Sequence, residues 1–67
     1  MDDAKANLII SMENEMKREQ DIALWLMHLM EAGSLDRESA TRQAAMHQQT
    51  ADGYQRMIND CKKRWGL

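Results

Sequence analysis

The 67-residue sequence contains no proline, no valine and no phenylalanine, one cysteine and only three glycines. Each shortage excludes something. A lone Cys61 cannot close an internal disulfide. With two histidines it cannot supply the four ligands of a closed zinc site. These are the usual staples of so short a chain, which buries only about 60% of the surface its unfolded form exposes. Efficient helix packing, self-association or a partner protein must take their place. The poverty of β-branched and aromatic residues (aromatics are 4%) leaves little from which to build a sheet.

What is present favours helix. Ala, Met, Leu, Glu, Gln, Lys and Arg dominate, and all are good helix formers. At 43% apolar and 30% charged, the chain is too hydrophobic for disorder driven by low hydrophobicity. The longest uncharged apolar stretch, Ile22 to Met30, is far too short to span a bilayer. The opening Met1-Asp2-Asp3 is not a basic region followed by an apolar one. Together with the single cysteine, this leads us to expect a cytoplasmic protein.

One punctuation mark divides the chain, Gly33-Ser34-Leu35-Asp36. Gly33 suits the left-handed residue that ends a helix, and Ser34 or Asp36 suits the N-cap of the next. The pattern predicts helices over about 3–32 and 37–65, joined by a turn at 33–36. A connection this short makes the helices antiparallel neighbours. The expected fold is therefore all-α, a single-domain two-helix hairpin resembling a coiled coil. A homodimer in a four-helix bundle, or a partner helix, would complete it.

The register supports the hairpin independently. Lys5, Ile9, Met12, Met16, Glu19, Ala23, Leu26 and Met30 recur at alternating spacings of four and three. So do Ala40, Ala44, His47, Ala51, Tyr54, Ile58, Cys61 and Trp65. Each series is an unbroken heptad seam. Folded at Gly33, the seams meet layer by layer, from Met30 against Ala40 to Lys5 against Trp65. Charge agrees: residues 1–36 carry net −5 and residues 37–67 net +3. A helix-turn-helix reading of the second half, turning at Thr50 to Gly53, would interrupt the seam. Gly53 is instead the expected place for a bend in one long helix.

Candidate functional residues lie off the seam. The segment Ile22 to Met30 is apolar nearly all round, so it must be covered on more than one side. Ile22, Leu24, Trp25, Met27 and Leu29 are read as an outer apolar stripe for a partner. Met46 and Met57 join them, because flexible thioethers line adaptable surfaces. Glu19 and His47, one layer apart in the seam, are read as a polar pair that sets register. A metal site from two copies of each is disfavoured by the missing Glu-x-x-His spacing. His28 falls on the outer face, and Cys61 reads as a small apolar seam residue. No Gly-rich phosphate loop, paired-carboxylate motif or activated nucleophile is evident. We therefore expect no enzyme, cofactor, metal or small-molecule substrate.

The alternative is a phage- or plasmid-type regulator that binds nucleic acid as a dimer. Its contacts would be Lys17, Arg18, Arg56, Lys62, Lys63 and Arg64 on phosphates. The last three residues also suit a helix C-terminus, where cations oppose the dipole.

The run from Ala23-Leu24 through Leu29-Met30, then Gly33, then a Gln- and Ala-rich helix from Asp36 to Ile58, resembles a known family. This is the small co-chaperone subunit of bacterial type III secretion needle chaperones. The resemblance covers most of the chain in layout and rests on no diagnostic motif. It implies a short antiparallel hairpin that pairs with a larger helical chaperone and keeps the needle subunit unpolymerised. The hairpin form is also similar to the small plasmid-copy-number RNA-binding dimers, although this sequence departs from them in lacking a basic and aromatic face.

Overall fold

The computed structural model describes residues 3–67, so Met1 and Asp2 of the opening motif lie outside it. Two helices make up the architecture, α1 (Asp3–Glu31) and α2 (Arg37–Trp65). They lie antiparallel as an all-α hairpin, with Cα extents of 49 × 15 × 11 Å. The radius of gyration is 15.1 Å, against about 11 Å for a compact domain of this length. The hairpin is thus one layer thick, and each helix has a partner on one side only.

The turn is built by its own residues. Gly33 adopts φ 78°, left-handed backbone that costs a side chain bearing Cβ about 1–2 kcal/mol. Its N–H donates to the Met30 carbonyl (3.0 Å) and the Ser34 N–H to the Leu29 carbonyl (2.9 Å). These two bonds are the Schellman closure, and they satisfy carbonyls that the helix end would leave open. Asp36, not Ser34, caps α2: its carboxylate accepts from the Ser39 N–H at 2.9 Å. That N–H, and next the Ser39 side chain, hold the Asp36 carboxyl below its ordinary pKa. At the far end Gly66 (φ 69°) stops α2, its N–H donating to the Lys62 carbonyl. Between these caps α2 runs unbroken through Gly53, so no turn occurs at Thr50 to Gly53.

Every buried residue among those described is a seam residue: Ile9, Met12, Ala23, Leu26, Ala40, Ala51 and Ile58. The layers differ in size along the hairpin. Ala40 and Ala51 are completely covered near the turn and the middle (0% and 1% exposed), where small side chains allow close approach. Bulk fills the opposite end, where Met16, Tyr54, Cys61 and Trp65 pack around Ile9, Met12 and Ile58. The last layer closes with the Lys5 ammonium 5.5 Å from the centroid of the Trp65 ring, a cation–π contact that leaves the charge in water.

The polar seam residues find each other. His47 Nδ1 lies 2.5 Å from Glu19 Oε2, with side chains 35% and 20% exposed. This pair bridges the two helices in mid-hairpin, where a hydrogen bond offsets the cost of partial burial. Among the described residues no buried side-chain polar atom lacks a partner. On the outer surface Arg42 pairs with Glu38 (3.3 Å) and Arg64 with Asp60 (3.1 Å). Both are exposed, so each contributes only tenths of a kcal/mol.

Candidate interaction surface

The seam divides the outer residues of each helix into two flanks. At about 100° per residue, a side chain just after a seam residue turns to one flank, and one just before it turns to the other. In an antiparallel pair, the flank after the seam on α1 adjoins the flank after the seam on α2. A groove of about 540 Å³ displays this adjacency: Leu24 and Met27 face Thr41, Ala45 and Gln48, over a floor of Ala23 and Ala44. Each of those five outer residues follows a seam residue. We call this the trailing flank.

The opposite, leading flank carries the residues that precede the seam: Leu8, Ile22, Trp25 and Leu29 on α1, and Met46 and Met57 on α2. Trp25 (58%), Met46 (61%), Met57 (51%) and Leu8 (49%) are all largely exposed, while Ile22 and Leu29 are half-buried. The expected single stripe is therefore split. Ile22, Trp25 and Leu29 lie on the leading flank with both off-seam methionines. Leu24, 66% exposed, and Met27 lie across the hairpin in the groove.

Two apolar contributors escape a reading centred on Ile22 to Met30. Leu8 and Ile10 straddle Ile9 and expose 49% and 54% of their surface, one on each flank. Their signal was available in the sequence, because each is a large apolar residue one step off a seam position. Ala45 and Thr41 of the groove gave no such signal. Small and hydroxyl side chains mark an opening only once the neighbouring helix is in place.

The six basic residues of the nucleic-acid alternative are divided between the helices, two on α1 and four on α2. Lys17 and Arg18 lie at mid-hairpin on α1, in a hollow shared with Asp21 and Trp25. Arg18 is held 3.5 Å from Glu15, and Arg64 is engaged by Asp60. Lys62 is half-buried, whereas Arg56 and Lys63 are exposed and point to the outer side of α2. His28 is exposed, and Cys61 is a half-covered free thiol in the distal core.

Among the described residues, no group of three or more His, Cys, Asp or Glu could hold a metal ion. No described helix is long and apolar enough to cross a membrane. No protein-family model matches the chain, and no curated protein or solved structure matches it.

Proposed function

We propose that this hairpin is a non-enzymatic protein–protein interaction module, a small cytoplasmic adaptor or co-chaperone subunit. It binds a helical partner through the apolar residues around its turn. The observation that carries this reading is the exposure of Leu24 and Trp25, neighbours in sequence that project from opposite flanks at 66% and 58%. A lone two-helix layer cannot cover both. Large exposed apolar surfaces on soluble chains mark interaction sites far more often than idle ones. The groove adds shape to the argument. Its alanine floor lets a third backbone approach closely, while Leu24 and Met27 form an apolar wall. This is the helix-in-groove mode of recognition.

The test replaces Leu24 with a photo-reactive benzoylphenylalanine in the source cell, with the same replacement at the outward-facing Gln49 as control. A discrete protein adduct at position 24, absent at 49 and lost on Ala45→Glu, supports the reading. Equal adducts at both positions, or adducts to nucleic acid, count against it. Binding through the groove should also weaken on Met27→Ala and tolerate salt. Phosphate contacts at Lys62 to Arg64 would weaken steeply with salt.

A further inference from the structure

We propose that the leading flank is covered by a second copy of this chain, related by a two-fold axis parallel to the helices, with Trp25 of each protomer set against Met46 of the other. The inference goes beyond the interaction-module reading, because it uses the opposite flank from the Leu24 groove.

Area is the first argument. The hairpin exposes 5100 Å², whereas a folded monomer of 7.8 kDa is expected to expose about 4,400 Å². The excess, roughly 700 Å², is close to the share each partner contributes to a standard interface, about 800 Å². One further layer of the same kind would remove it.

Composition selects the flank. The leading flank sets six large apolar side chains, Leu8, Ile22, Trp25, Leu29, Met46 and Met57, among the polar Glu15, Arg18, Thr50 and Asp60. The trailing flank has only three, Ile10, Leu24 and Met27, among Glu13, Lys17, Gln20, Gln48 and Asp52. Aromatic and methionine side chains are also the types enriched at interface centres.

Charge selects the axis. Two hairpins stacked face to face can place each helix on its own copy or on the other helix of the copy. The first arrangement lays α1 on α1, in the half of the chain that carries −5, and α2 on α2, in the half that carries +3. The second sets the net-negative half of one chain against the net-positive half of the other and keeps both turns at one end, while the charges on the leading flank itself balance within each helix (Glu15 with Arg18, Asp60 with Arg64). Only the second needs an axis parallel to the helices.

Height then completes the match. Layers of the hairpin pair residues whose numbers add to 70, and a parallel axis preserves height along the bundle. Trp25 and Met46 stand at nearly the same level on the same flank, so the axis brings each onto the other's counterpart twice, as an isologous contact requires.

Sedimentation equilibrium of the full chain across the micromolar range tests this, with Met46→Glu and Leu24→Glu as paired variants. The expected result is a dimer whose dissociation constant rises roughly a hundredfold or more with Met46→Glu and little with Leu24→Glu. A wild-type monomer throughout, or a dimer lost with Leu24→Glu but kept with Met46→Glu, overturns the proposal.

Crosslinking provides a second reading that does not depend on the Met46 variant staying folded. In a Cys61→Ala background, Arg18→Cys and Gly53→Cys chains are mixed and treated with a short bis-maleimide. These positions share the flank and the height, and neither carries an apolar side chain. A crosslinked dimer in the mixture alone supports the parallel axis. Crosslinking of the Arg18→Cys chain with itself, or none in the mixture, refutes it. Loss of the photo-adduct at position 24 with the dimer intact would sink the partner reading and leave this one standing.

Discussion

Replacing both Glu19 and His47 by leucine should stabilise the hairpin, although replacing either alone should not. The pair sits in the seam with side chains 20% and 35% exposed and donor to acceptor 2.5 Å apart. A hydrogen bond to an ionised group contributes about 1.5–3 kcal/mol when buried. Water still reaches part of both side chains, so a coupling of about 1 kcal/mol is the better expectation. Against it stands the burial of two leucines. Each would be worth about 1.5–3 kcal/mol if fully covered, and about 1–2 kcal/mol at the coverage these positions provide. Paired substitution by apolar residues of similar volume often gains stability, while a single one strands its partner. The expected balance is Glu19→Leu and His47→Leu each at or below wild type, and the double variant above it by about 1–3 kcal/mol. At about 4–8 °C per kcal/mol for a domain of this size, the melting temperature should rise by roughly 5–25 °C. Thermal and urea melts followed by circular dichroism, at one fixed chain concentration, complete the cycle. A double variant less stable than wild type, or a coupling indistinguishable from zero, would refute the account of the pair as a register device that costs stability.

Other expectations follow from the caps and the core. Asp36→Ala should lower the melting temperature at neutral pH, and Asp36→Asn should largely preserve it. Because the folded carboxyl titrates below its ordinary range, the cap's contribution is present above about pH 4. It is lost as pH falls through the depressed folded value, so melts between neutral and strongly acidic pH should converge for wild type and the alanine variant. The glycines should separate by sign. Gly33→Ala forces a side chain into φ 78° and should cost about 1–2 kcal/mol. Gly53→Ala, with open space around its Cβ, should gain up to about 1 kcal/mol. Ile58→Ala, at a position 1% exposed, should cost about 2–5 kcal/mol. That is comparable to the whole stability of about 3–10 kcal/mol expected for 67 residues, and the variant should show no cooperative melt.

Much of the core was legible in one dimension because helical periodicity ties burial to spacing. Ile9, Met12, Leu26, Ala40 and Ile58 are buried for the reason that two heptad seams share one turn. Gly33 announced its role through local chemistry, since a left-handed residue acts within a few residues of itself, whereas the choice of Asp36 over Ser34 as the cap came from the fold. The apolar surface was harder. Ile22 to Met30 stood out as a segment, but a segment has no sides until something lies against it. Adjacent residues such as Leu24 and Trp25 belong to different surfaces once α2 is docked, and no count of apolar residues separates them.

The sequence by itself determined two helices, the turn that joins them, their facing layers and an excess of apolar side chains. All of these depend on contacts that are local or repeat with the helical period. The tertiary structure alone decided three things: that Glu19 reaches His47 across the layers, that Ala44 and Ala45 leave an opening, and that the excess apolar residues part into two flanks. Each of these depends on the distance and rotation between two helices. That geometry is set by how closely the alanine layers allow the backbones to approach, and only the folded pair expresses it.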